Sequence, residues 1–126
     1  MNKQEIGTLA ARLANGGIAR AIGADLVSLP GDATIAVDKD AAYILNKAGV
    51  AAITLPAPGV DNVGRVITFI AGTANAHVVT ATAALANGTA TKTTWTAAAF
   101  PGSSLTVRAI SSTLWACVSN QLGAYA

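Results

Sequence analysis

The chain is short of almost every residue type that carries chemistry. Of its 126 residues only 11% are charged, against about 25% in an ordinary soluble domain, and only 5% are aromatic. Cys117 is the one cysteine, so no intrachain disulfide forms and no cysteine-based zinc site can be built from one copy. Its setting, Leu114-Trp115-Ala116-Cys117-Val118, is that of a small core hydrophobe. His77 is the one histidine, and no second histidine or carboxylate lies near it at ligand spacing, so a metal role has no donor set. The eight Lys and Arg residues are scattered from Lys3 to Arg108. They give a net charge of +2 without the basic cluster and stacking aromatics that nucleic-acid binding uses. Although 52% of the residues are hydrophobic, Gly, Thr, Asn or a charge interrupts every run before it reaches the length of about 18 residues that a membrane-spanning helix needs. Met1-Asn2-Lys3-Gln4-Glu5 lacks the apolar stretch of a signal peptide, and the chain reads as made in a cytoplasm, with no membrane or nucleic-acid partner.

Catalytic arrangements are missing as well. No Gly-x-Ser-x-Gly turn presents a nucleophile, and Gly102-Ser103-Ser104 is a turn entering a strand. Five of the six acids fall at or before Asp40, leaving Asp61 alone in the main apolar region, so two carboxylates have no means of meeting across a cleft there. Asp38-Lys39-Asp40 offers two carboxylates, too few for a calcium loop, and reads as a solvated connection. Gly16-Gly17 lacks the lysine and spacing of a phosphate cradle. The expectation is a protein that is not an enzyme and has no cofactor or metal.

What is present is a rhythm. From Tyr43 to Val118 short Val, Ile, Thr and Ala segments alternate with Gly, Pro and Asn. The period-two pattern predicts strands at Thr34–Val37, Tyr43–Asn46, Ala52–Leu55, Arg65–Ile70, His77–Thr82, Ser104–Ile110 and Leu114–Ser119. Pro56-Ala57-Pro58-Gly59 ends one ladder, since each proline removes a donor. Ser111-Ser112-Thr113 is short enough to close a C-terminal hairpin. A spacing of about ten residues without intervening helical patterns favours an all-β, antiparallel sandwich or barrel-like domain of about seven to eight short strands, preceded by an N-terminal arm. Within Ser104–Ile110, Leu105, Val107 and Ala109 share one face while Ser104, Thr106 and Arg108 share the other. Val66, Ile67, Phe69 and Ile70 are apolar on both faces, so that strand is central or covered by a neighbouring subunit, and these four are the expected subunit interface. Trp115, among apolar residues, reads as core; Trp95, in a Thr run, is a candidate exposed contact for a partner or sugar.

The N-terminal part follows another pattern. Ile6, Leu9, Ala10 and Leu13 keep helical spacing, with Asn2 and Glu5 placed like a capping box and Asn15-Gly16-Gly17 as a stop. A second apolar segment from Ile18 runs to Pro30-Gly31. Residues 1–31 therefore read as an arm and residues 32–126 as the β-domain. The arm either orders on a partner or packs on its own domain.

The succession Ala42-Tyr43-Ile44-Leu45-Asn46-Lys47-Ala48-Gly49, Ile53-Thr54-Leu55-Pro56-Ala57-Pro58, Gly64-Arg65-Val66-Ile67, Thr73-Ala74-Asn75-Ala76-His77 and Gly102-Ser103-Ser104-Leu105-Thr106-Val107, followed by Trp115, resembles small β-structured virion proteins of tailed bacteriophages. These include capsid decoration proteins and head-fibre or tail-fibre modules. The resemblance spans residues 42–122 and rests on strand rhythm with a few Gly, Pro and Trp positions. It implies a homo-oligomer, expected to be a trimer, that binds the major capsid protein on the outer surface of the virion and stabilises the head. The arm positions Ile6, Leu9, Leu13, Ile18, Ile22 and Leu26 are then the expected capsid contacts. A fibre or spike module that recognises a host receptor or glycan is the alternative.

Overall fold

The structure, a computed structural model, describes residues 25–126. Ten strands account for most of them: β1 (Asp25–Leu29), β2 (Ala33–Thr34), β3 (Ala41–Leu45), β4 (Ala52–Leu55), β5 (Val66–Ala71), β6 (Val78–Ala86), β7 (Thr91–Thr96), β8 (Ser104–Ser111), β9 (Leu114–Gln121) and β10 (Ala124–Tyr125). A single 3-10 turn at Val60–Asn62 is the only helical piece among the described residues. The strands follow the order β1-β3-β5-β8-β9-β6-β4-β2 around a nearly closed barrel, with β7 on β6 and β10 on β7. The all-β, barrel-like expectation holds.

The pairing inside that barrel is mixed, not antiparallel throughout. Only β5–β8, β8–β9, β6–β7 and β7–β10 are antiparallel; β1–β3, β3–β5, β2–β4, β4–β6 and β6–β9 are parallel. Parallel neighbours need a long crossover, usually a helix. Here the crossover from β1 to β3 is β2 on the opposite wall, and the same holds for β4 between β3 and β5 and for β5 between β4 and β6. The chain thus winds through three stacked coils, β1–β2, β3–β4 and β5–β6. A scarcity of helical patterns therefore did not exclude parallel pairing.

In-register stacking puts like positions of successive coils side by side, and period-two alternation sends one set inward. Val27, Tyr43, Phe69 and Leu105 form one inward row. Ala33, Ile53, Val79 and Trp95 form another across the opposite wall. Tyr43 stacks on Phe69 with ring centroids 6.0 Å apart and 23° between planes, an arrangement worth about 0.5–1.5 kcal/mol beyond the area it buries. The Tyr43 hydroxyl donates to the Ala36 carbonyl at 3.1 Å, so its polar end is satisfied. The hairpin predicted at Ser111-Ser112-Thr113 joins β8 to β9.

The boundary at residue 31 is corrected. Asp25–Leu29 pairs residue for residue with Ala41–Leu45 and belongs to the sheet. Its alternation, with Val27 and Leu29 inward, was hidden because Gly23 and Pro30-Gly31 bracket it within an apolar stretch that also fits an arm. Of the expected capsid contacts, Ile6, Leu9, Leu13, Ile18 and Ile22 lie outside the described residues.

Candidate functional site

The two outer walls of the barrel differ in chemistry. On β2, β4, β6 and β7, one outward row is threonine across four strands, Thr34, Thr54, Thr80 and Thr94. The wall made by β1, β3, β5, β8 and β9 is more apolar. One row there reads Leu26, Ala42, Thr68, Thr106 and Ser119, and the next reads Ser28, Ile44, Ile70, Ser104 and Gln121. The two central threonines satisfy each other, Thr68 Oγ1 lying 3.0 Å from Thr106 Oγ1, which removes their demand for water. Leu26, Ile110 and Val118 are more than half exposed, and Ile44, Val66 and Ile70 are half-buried. Arg108 is the one charged side chain on the outward positions of β3, β5, β8 and β9. Ile44 and Ile70 are neighbours in register, with Leu26, Val66, Ile110 and Val118 on the same wall among Ser and Thr positions; exposed apolar residues gathered on one face mark an interaction surface.

The expected subunit-interface set splits on this wall. Ile67 and Phe69 are fully buried inside their own barrel, and no second copy reaches them. They face inward because β5 lies between β3 and β8, so its inner face has a core to fill. Val66 and Ile70 point outward into the wall. Leu26 stands on the outer face of β1 at the edge of the same wall. Sequence reasoning missed Ile44, Ile110 and Val118. The signal for Ile110 was present, since an isoleucine occupies the phase that Ser104, Thr106 and Arg108 make polar. Val118 had no such signal, because a register shift opposite Thr106 and Val107 decides where it points.

Trp95 is corrected from an exposed contact to a core residue. It is fully buried and donates its indole N–H to Asn120 Oδ1 at 2.8 Å. The same oxygen accepts the Gly123 N–H, and Asn120 Nδ2 donates to the Gly123 carbonyl. This bridge lays β10 against β7, and a Cβ on Gly123 would collide with the Trp95 ring. A polar Thr run hid the tryptophan because β7 alternates, with Thr94 and Thr96 facing out on either side of it. Trp115 is core as expected and donates to the Pro56 carbonyl at 2.9 Å.

His77 is also buried, in a closed network. Its Nδ1 accepts the Ala51 N–H at 2.9 Å, which leaves Nε2 to donate to Thr73 Oγ1 at 2.8 Å; the Thr73 hydroxyl donates to the Lys47 carbonyl. The ring is therefore neutral with its proton on Nε2, and burial lowers its pKa below the ordinary value. Its work is to tie the loop after β3 to the loop before β6. Cys117 is half-buried beside the core, and burial raises its thiol pKa. The Asp38-Lys39-Asp40 connection is exposed, with Lys39 paired to Asp25 at 2.7 Å and Asp40 Oδ1 accepting the Val66 N–H. Among the described residues no three His, Cys, Asp or Glu side chains come together as a metal site would require. No family model matches the chain, and no curated protein matches it. The apolar outer wall is the candidate functional site.

Proposed function

We propose that the chain is a structural subunit that assembles with copies of itself through the β1-β3-β5-β8-β9 wall and attaches as an oligomer to the outer surface of a bacteriophage capsid, as a decoration or cement protein. The observation that supports this reading is the wall, where Ile44 and Ile70 are neighbours in register and Leu26, Val66, Ile110 and Val118 stand on the same wall among Ser and Thr positions, with Arg108 the one charged side chain on β3, β5, β8 and β9. Leaving so much apolar surface wet is unfavourable, at about 25 cal/mol per Å². Burying it between copies removes that cost, and obligate interfaces resemble a core cut in half. Attachment through several identical subunits then multiplies weak individual contacts. The trimer and the capsid follow from the resemblance of residues 42–122 to phage virion proteins. The receptor-binding alternative loses Trp95, its main exposed aromatic.

The test is solution mass by light scattering. The unmodified protein should behave as an oligomer, a trimer on this reading, and Ile70→Asp should reduce it to a monomer with an unchanged β-type circular dichroism spectrum. Co-sedimentation with empty capsids should follow the oligomer and be lost with Ile70→Asp. A monomeric unmodified protein that ignores capsids overturns the reading.

A further inference from the structure

The hairpin from β6 to β7 turns on Asn87-Gly88-Thr89-Ala90. Ala86 pairs with Thr91, and the Asn87 N–H donates to the Ala90 carbonyl at 3.1 Å, so the tip is tight. Gly88 takes a φ of 95°, which glycine reaches without Cβ strain. The Asn87 side chain folds back over this tip. Its Oδ1 accepts from the Thr89 N–H at 3.0 Å, the Thr89 hydroxyl at 3.0 Å and the Ala90 N–H at 2.9 Å. An amide oxygen has two lone pairs, so three converging donors suit an oxygen of higher negative charge better than that of a neutral carboxamide.

Chemistry at the tip supplies such an oxygen. The Gly88 nitrogen follows Asn87 directly, and its attack on Asn87 Cγ closes a five-membered ring within the chain, a step favoured by proximity. The electron pair of the C=O bond then moves onto Oδ1, where donors already in place stabilise the developing charge. Bonds from residues 89 and 90 also hold the carboxamide beside the Gly88 peptide. Gly88 is exposed, and a Cβ built on it would meet nothing within 4 Å, so solvent base reaches this peptide.

The other described asparagines are placed differently. Asn46, Asn62, Asn75 and Asn120 precede Lys47, Val63, Ala76 and Gln121, whose side chains crowd the attacking nitrogen. Each of the four also donates from Nδ2, to Ser28 Oγ and to the Pro58, Ala48 and Gly123 carbonyls respectively, which holds the nitrogen that would have to leave.

We infer that Asn87 is a site of self-modification that consumes only water and is driven by hydroxide. Base removes the Gly88 amide proton, the N–Cγ bond forms, and the oxyanion on Oδ1 collapses as the Cγ–Nδ2 bond breaks. Nδ2 gains a proton from water and leaves as ammonia. Water then opens the cyclic imide at either carbonyl, giving aspartate or isoaspartate with no change in oxidation state. Each event adds one negative charge at the hairpin tip of a chain whose net charge is +2. The inference does not depend on the assembly reading.

Peptide mapping by mass spectrometry on the full chain, held at about pH 8.5, tests it by reading a gain of about 1 Da per event. Asn87 should convert ahead of Asn46, Asn62, Asn75 and Asn120, and its rate should rise about tenfold per pH unit from about pH 7 to 9, because the attacking species is the deprotonated amide. In the folded protein it should convert at least about threefold faster than in the same chain unfolded in urea, where the three donors are dispersed. Thr89 is exposed, so Thr89→Val should keep the fold, as circular dichroism checks. It should slow the folded reaction about threefold and leave the rate in urea unchanged. A folded rate no higher than the unfolded one overturns the inference. So does a Thr89→Val variant that reacts as fast as the unmodified protein or faster, since the three bonds would then act as a restraint on the side chain.

Discussion

His77 and Trp95 were the two side chains with the most chemical potential, and both are spent on holding loops together. For His77 the consequence is a pH dependence with a definite sign. Nδ1 already receives the Ala51 N–H, so a second proton there would face a donor, and burial further disfavours the charged ring. The unfolded chain takes up a proton near the ordinary value of 6.5 and the folded chain resists it to lower pH. Stability is therefore complete above that value and is lost as the pH falls below it. The midpoint of urea unfolding should be flat between about pH 7 and 8 and drop by about pH 5.5, while His77→Gln, less stable overall, should show no drop in that window. Asp25 and Asp32 do not confuse the result. Hydrogen bonds from Lys39 to Asp25, and from the Ala52 N–H and Lys47 to Asp32, hold their pKa values below 3.8, so their contribution is lost only at more acid pH. An unfolding midpoint unchanged across the histidine window would show that the ring is not held neutral.

At the scale of single strands, alternation is the controlling fact, and neighbouring positions answer very differently to the same substitution. Val107 is fully buried on β8, while Arg108 beside it is exposed. Val107→Asp should abolish the cooperative unfolding transition, because an unpaired charge would lie in the core. Arg108→Asp should shift stability by no more than about 0.5 kcal/mol. Calorimetry of the two variants checks both outcomes, and similar transitions would mean that β8 is out of register. The alternation that supports this contrast was visible in Ser104–Ile110, and strand bounds there and at Ala52–Leu55 were legible to within a residue. β7 was not legible, because Lys92, Thr94 and Thr96 at its outward positions and Thr91 and Thr93 between them look like a polar loop until Trp95 is seen facing in. The second half of β6 was missed for a related reason. Its register on β7 breaks between Thr80 and Leu85, so the Ala-rich stretch carries no clean period.

For the whole molecule, coil stacking makes neighbours of residues far apart in sequence, and it also creates the outer wall. The half-exposed apolar positions of that wall were only partly predictable, since whether Val66 and Ile70 or Ile67 and Phe69 face outward depends on which side of β5 meets the rest of the barrel. If copies associate through the wall, folding and association are linked by mass action. The thermal midpoint should then rise by several degrees as protein concentration is raised about a hundredfold, and the rise should vanish in Ile70→Asp. Scanning calorimetry over a dilution series measures this directly. A concentration-independent midpoint in the unmodified protein would remove the link between the wall and assembly.

By itself the sequence determined the all-β class, most strand positions and the shortage of reactive groups, because these depend on local alternation, turn residues and composition. Only the tertiary structure decided that the coils stack in parallel, that Trp95 is core and that Ile67 and Phe69 are sealed within one chain. Each of those outcomes is a choice between two faces of a strand or two neighbours for an edge. Period-two alternation divides the residues into two sets without saying which set is inside, and that is settled by which surfaces the rest of the chain is able to cover.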